Sequence, residues 1–248
     1  MNKILIGKKI ISDTDGVKVS KNVITFIESG EYVIEYTDSG DYNVVFEIHN
    51  DIKLIESSFD NSLNLDNHYI INKGSLSVIK FYNNKEVIEK INIDLCSDGS
   101  KVDYKFSNIC KGIENYQINI NHKFMNTTSN ICNRSVALKN SKINFVINSN
   151  VLSDGINSIL NQNTRIVVMD ECDAKVCPNM FIDLVDVEAR HGSIIVKFKE
   201  EDIFYLMSKG ISYNDTLKLL IKGYLFSNID GHIDLRKRIS DIINLYWR

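Results

Sequence analysis

Proline is almost absent from this chain, with 1 residue in 248, and glycine is limited to 12. Turns must then be made largely by asparagine and aspartate, which recur between short apolar runs and tolerate left-handed backbone. The 5 cysteines, at positions 96, 110, 132, 172 and 177, are odd in number and scattered, which excludes a secreted disulfide framework and points to reduced thiols. There is no excess of basic charge. A net charge of -3 and a pI near 6.0 provide no surface for general nucleic-acid binding. No run of about 18 apolar residues marks a membrane span. Gly7-Lys8-Lys9 interrupts the apolar stretches of the N-terminus, so no signal-peptide core is present. A glycine-rich phosphate loop, a His-Glu-x-x-His pair, a nucleophile elbow and a paired-cysteine zinc pattern are all missing, which leaves no sequence basis for an ATPase or a hydrolase. A soluble, cytoplasmic, non-catalytic chain is expected.

What the chain does have is 44% hydrophobic content, ample for a buried core, arranged in strand-like runs. Val23–Phe26, Tyr32–Tyr36, Val44–Ile48, Ile52–Ile55, Tyr69–Ile71, Leu76–Tyr82, Val87–Leu95, Val102–Phe106 and Tyr116–Ile120 are rich in Val, Ile, Tyr and Phe. Ser-Gly, Asn-Asp, Asn-Asn and Asp-Gly pairs punctuate them. Spacings of roughly ten residues fit a sandwich, a barrel or the coils of a β-helix, and no strict repeat decides among the three. Val151–Leu160 reads either as a short helix or as a turn, followed by the polar Asn161-Gln162-Asn163 and a strand over Arg165–Met169. Further on, Phe181–Ala189 and Ser193–Phe198 are β-branched runs, and Arg190-His191-Gly192 between them is where the backbone is expected to turn or bulge.

After Lys199 the period changes. Glu200-Glu201-Asp202 places acids at a helix start, Ile203, Phe204, Leu206 and Met207 form an apolar stripe, and Gly210 stands where a helix ends in a left-handed residue. Ser212 with Asp215 opens a second helix in capping-box fashion, with Leu217, Leu220, Ile221 and Tyr224 on its apolar face. A third helix is expected from about Ile233, carrying Leu235, Ile239, Ile242, Ile243 and Tyr246, with Arg236, Lys237 and Arg238 solvated. The chain therefore divides into a β body, 1–199, and a helical tail, 200–248. The first two helices carry more apolar surface than they can bury against each other. A docking partner for the tail is expected, and the β body is expected to fold without it.

One stretch carries a family resemblance. From Pro178 to Tyr224 the order runs strand, His191-Gly192, strand, Glu-Glu-Asp-x-Phe-Tyr-Leu-Met-Ser-x-Gly-Ile-Ser, then a Leu-Leu-x-x-Gly-Tyr helix. This resembles the C-terminal part of the SufB/SufD family of iron-sulfur cluster assembly scaffolds. His122 with Thr127-Thr128-Ser129, and Asn161-Gln162-Asn163, match more faintly upstream. The resemblance implies a mainly β fold, a right-handed parallel β-helix followed by a small helical domain, and makes Val151–Leu160 a corner of that helix. It implies pairing with a SufB-type subunit, docking of a SufC-type ATPase on the tail through Phe204, Tyr205, Leu206, Leu217, Leu220 and Ile221, and a transient Fe-S cluster at the subunit interface.

His191 is the interface residue that the resemblance points to, as a possible iron or cluster ligand; neutral imidazole suits iron. Gly192 follows it, as in SufD-type members, where SufB-type members have a glutamate. Where SufB-type members carry a cysteine after the glutamine, this chain has Asn163. It is therefore read as SufD-like and as unable to hold a cluster stably alone. Cys172, with four residues between it and the next thiol at Cys177, is a weaker metal candidate; His49, His68 and His232 are read as surface or core residues, and the role of His122 is open. Full SufD chains have an N-terminal helical region that this sequence lacks. The alternatives are a shortened SufB-like homodimer and a β-rich adaptor outside the family.

Overall fold

The computed structural model describes residues 2–247. Most of the chain winds as a parallel β-solenoid of about seven turns. Each turn gives one strand to each of two facing sheets. The first sheet has 9 strands: β1 (Asn2–Ile6), β2 (Ile10–Ser12), β5 (Gly30–Tyr36), β7 (Ile52–Phe59), β9 (Ser75–Asn83), β11 (Lys101–Cys110), β13 (Thr128–Ala137), β15 (Ile159–Val168) and β17 (Glu188–Val196). The second has 8: β3 (Val17–Ser20), β4 (Val23–Phe26), β6 (Gly40–Ile48), β8 (Ser62–Ile71), β10 (Glu86–Leu95), β12 (Ile113–His122), β14 (Lys142–Val151) and β16 (Asp173–Ile182). Of the three architectures that spacing left open, the β-helix is the one observed.

Alternation along each strand builds the core. In β14, Ile143, Phe145 and Ile147 are fully buried between the sheets while Asn144, Val146 and Asn148 point outward. Stacking of successive coils brings aromatic rings face to face, as in Tyr116 and Phe145 with centroids 4.9 Å apart. Outward-facing asparagines also stack. Asn119 donates to Asn92 at 3.0 Å, Asn148 to Asn119 at 2.8 Å and Asn179 to Asn148 at 2.9 Å, forming a ladder down the second sheet. Asparagine thus serves strands as well as corners, where Asn126, Asn140 and Asn157 adopt positive φ.

No strict repeat is visible in the sequence because coil length drifts. Ser75 hydrogen-bonds to Asp51, one coil and 24 residues earlier, whereas Asn133 bonds to Thr164, 31 residues later. Register is kept by the parallel ladders, and the corners absorb the difference.

Toward the C-terminal ends of its strands the first sheet is apolar on its outer face as well, as expected where a parallel sheet is covered on its outside. Its cover is the helical tail: α1 (Glu200–Ser208), α2 (Tyr213–Phe226) and α3 (Ile233–Tyr246). Ser212 caps α2 by accepting from the Asp215 amide at 3.2 Å, and Gly210 takes φ +86° after α1. Outward-facing Ile55, Ile79, Phe81, Ile109, Val136 and Val167 form a second core with Leu217, Ile221, Leu225, Ile229, Ile239 and Ile243. Between α2 and α3 the buried Asn228 donates to the carbonyls of Phe106 and Cys132, both at 3.1 Å, which pins the helices to the sheet. The tail thus shares a core with the first sheet, which weighs against the expectation that the β body folds without it: those sheet residues would otherwise face water. No described helix is long and apolar enough to cross a membrane.

The solenoid's two ends differ. At the N-terminal end both sheets finish in short antiparallel strands, β2 on β1 and β3 on β4, with Lys8, Lys9, Lys18 and Lys21 around them. At the other end β16 and β17 are full-length parallel strands whose outer edges pair with nothing among the described residues.

Candidate functional site

The open end collects the residues of interest. Strand β17 runs unbroken through Arg190-His191-Gly192, so the expected turn at these positions is not there; the chain turns instead between residues 182 and 188. The β-branched run from Phe181 misled because it spans the end of one strand and the start of the next. Gly192 needs no special backbone, since a Cβ built on it would meet nothing within 4 Å.

His191 lies beside Gln162 of β15, in the inward-facing row that continues through Ile131, Tyr104 and Val78 toward the first coils. Those earlier positions are sealed between the sheets. No coil follows β17, so His191 is exposed at the mouth of the solenoid interior. Ile195, in the same inward row, is exposed at 42%, whereas Phe181 and Ile194 are exposed on the outer faces of β16 and β17, at 57% and 49%.

The interior behind His191 becomes polar. Gln162 donates to Ser149 Oγ at 2.6 Å and to the Asn179 carbonyl at 3.3 Å, and Asn133 donates to Thr164 Oγ1 at 2.9 Å. Gln162 was read from sequence as part of a polar segment ahead of a strand, yet it lies inside β15. The signal was available: Leu160, Gln162, Thr164 and Ile166 alternate with period two.

Cys172 and Cys177 are not brought together. Cys172 packs against the core between the sheets, where burial pushes its thiol above the ordinary range. Cys177 is exposed on β16, its Sγ 3.7 Å from Asn179 Oδ1. No group of three or more His, Cys, Asp or Glu among the described residues could hold a metal ion.

His122 is a core residue. It is fully buried, with Nδ1 2.7 Å from Thr127 Oγ1 and Nε2 2.8 Å from Ser129 Oγ. Burial pushes it down to about 4, so it is neutral at ordinary pH.

On the tail the expected partner-binding residues separate into two groups. Phe204 and Tyr205 are exposed, at 74% and 60%, and Leu206 and Leu220 are half-buried. Leu217 and Ile221, at 5% and 0%, lie against the chain's own sheet, and their assignment to a partner surface is corrected accordingly. A groove of about 460 Å³ between α1 and the sheet is lined by Val168, Phe198, Ile203, Phe204, Met207 and Tyr213.

Comparison with known proteins bears on this arrangement directly. A family model described as SUF system FeS cluster assembly, SufBD core domain, matches residues 49–224, from the end of β6 to α2. The chain belongs to the SufBD family. Over 82 residues it is 36% identical to an iron-sulfur cluster assembly SufBD family protein of Pyrococcus horikoshii, covering 32% of this chain and 18% of that one. Over 107 residues it is 27% identical to an iron-sulfur cluster assembly SufBD family protein of Staphylococcus aureus strain USA300, covering 42% of this chain and 23% of the relative. The matched segments thus take up less than a quarter of either relative. The parallel solenoid agrees with the fold that the sequence resemblance to this family implied.

Proposed function

We propose that this chain is a SufD-like scaffold subunit of the Suf machine, working in the cytoplasm and performing no catalysis of its own. It pairs with a SufB-type subunit through the open end of the solenoid. A SufC-type ATPase docks on α1, around Phe204, Tyr205, Leu206 and the half-buried Leu220. The nascent Fe-S cluster is cargo, built between the two scaffold subunits with His191 as this chain's contribution, and it is not held by this chain alone.

The observation that carries the reading is the unequal treatment of the two ends. Unpaired strand edges recruit other strands, and proteins guard them unless they are to be used. Here one end is closed by antiparallel strands and lysines, and the other leaves β16 and β17 bare beside an exposed imidazole. Gly192 and Asn163 support the SufD-like form, since a carboxylate and a thiol used by SufB-type members are missing at these places. The same edges would accept a second copy of the chain, as in a shortened SufB-like homodimer.

Sedimentation velocity tests the pairing. The chain alone should self-associate at micromolar concentration and exchange into a heterodimer when a SufB-type protein is added. A strict monomer in both mixtures overturns the reading. For the tail, the double substitution Phe204→Ala and Tyr205→Ala should abolish co-purification with a SufC-type ATPase and leave the melt unchanged.

A further inference from the structure

The geometry points to Gln162 as the positioning residue for His191, accepting one imidazole N–H so that the other ring nitrogen presents its lone pair at the mouth. The carboxamide orientation is fixed from behind. The Asn179 carbonyl, 3.3 Å from the Gln162 nitrogen, can only accept, so the NH₂ must lie on that side and the Oε1 on the other. That Oε1 is buried and has no hydrogen-bond partner. A buried acceptor without a donor is a defect that native proteins rarely leave uncorrected.

Few groups could supply the donor. In register on one side stands Ile131, which has none, and the Asn133 amide is already directed to Thr164 Oγ1 at 2.9 Å. In register on the other side stands His191, exposed and without a hydrogen bond to any described residue. Parallel neighbours in register point to the same face of a sheet, so a side-chain rotation of the exposed ring is enough to bring an N–H to Oε1. Such a bond fixes the tautomer, which is how protein groups behind a ligating histidine orient it and raise its basicity. The use of the free nitrogen as an iron ligand rests on the function proposed above; the tautomer does not.

The test is long-range ¹H–¹⁵N NMR of the full-length chain across pH, with the His191 resonances assigned from a His191→Ala spectrum. The His191 tautomer ratio should differ from that of free histidine. In Gln162→Met, which keeps length and removes the acceptor, it should return to the free value. In Gln162→Glu, which keeps an acceptor, the tautomer should be retained. An identical tautomer ratio in the wild type and Gln162→Met overturns the inference. If Gln162→Met does not fold, a His191 tautomer ratio at the free value in the wild type or in Gln162→Glu overturns it equally. Failure of the scaffold role reads out elsewhere, as cluster formation in the full complex that is indifferent to His191→Ala.

Discussion

Two ionisable side chains inside the solenoid titrate in opposite senses, which makes the stability of this fold pH-dependent in a way that single substitutions expose. His122 is pushed from 6.5 down to about 4 by burial. Glu114, fully buried, is pushed from 4.5 up to about 7 by burial, against hydrogen bonds from Asn108 and from the Tyr116 hydroxyl at 2.8 Å. As pH falls from 6.5 to 4 the unfolded chain gains a proton on His122 that the folded chain refuses, so stability falls with decreasing pH. As pH rises from 4.5 to 7 the folded chain retains a proton on Glu114 that the unfolded chain has released, so stability falls with increasing pH. Each shift spans about 2.5 pH units, and at about 1.4 kcal/mol per unit each is on the order of 3 kcal/mol. Where the windows overlap the two slopes offset each other. Urea unfolding of the wild type, Glu114→Gln and His122→Gln from pH 4 to 8 separates them. Relative to the wild type, Glu114→Gln should gain on the order of 3 kcal/mol between the low and high ends of the Glu114 window, whatever its starting offset. His122→Gln should gain a similar amount as pH falls through the His122 window. A Glu114→Gln difference that is flat across its window would mean the carboxyl ionises normally and would refute the reasoning.

Two further outcomes follow from the packing. Removing residues 200–247 uncovers Ile55, Ile79, Phe81, Ile109, Val136 and Val167, each worth roughly 2 kcal/mol of burial, a total on the order of the whole stability of a domain. The truncated body should be insoluble or bind a hydrophobic dye strongly, and a soluble fragment with an unchanged melt would contradict the shared core. Lys80, fully buried, lies 2.6 Å from Glu89 Oε1 and 3.0 Å from Glu56 Oε2. Lys80→Ala leaves two carboxylates unpaired in the core, and thermal melts should show a loss of about 3–5 kcal/mol; an unchanged midpoint would refute the pairing.

Much of the fold was legible because it obeys local rules. Val23–Phe26 reads as a strand and is one, and the three helices begin where expected, at Glu200, just after the Ser212 cap and at Ile233. What sequence left open was long-range. Coils that drift between 22 and 31 residues hide the solenoid from any search for a fixed period. Periodicity also identifies the apolar face of α2 without saying what it meets, which is how Leu217 and Ile221 came to be assigned to a partner instead of to the sheet of the same chain. At the site, the motif around His191 was legible, but its setting was not. A histidine followed by glycine between two β-branched runs suggests a turn, whereas parallel pairing with β15 carries the strand straight through. Only stacking shows that Gln162 and His191 are neighbours.

The central claim is that His191 stands at the open end of the solenoid to serve chemistry there and not to hold the fold. It is exposed, on an edge strand, and without a hydrogen bond to any described residue, so His191→Ala should change stability by less than about 0.5 kcal/mol. The deciding measurement pairs the thermal midpoint of that variant with the iron-sulfur absorbance of the reconstituted complex of this chain, a SufB-type subunit and a SufC-type ATPase. An unchanged midpoint with a sharp loss of cluster per assembled complex is the predicted result. A large drop in the midpoint with unchanged cluster yield per folded complex would contradict it.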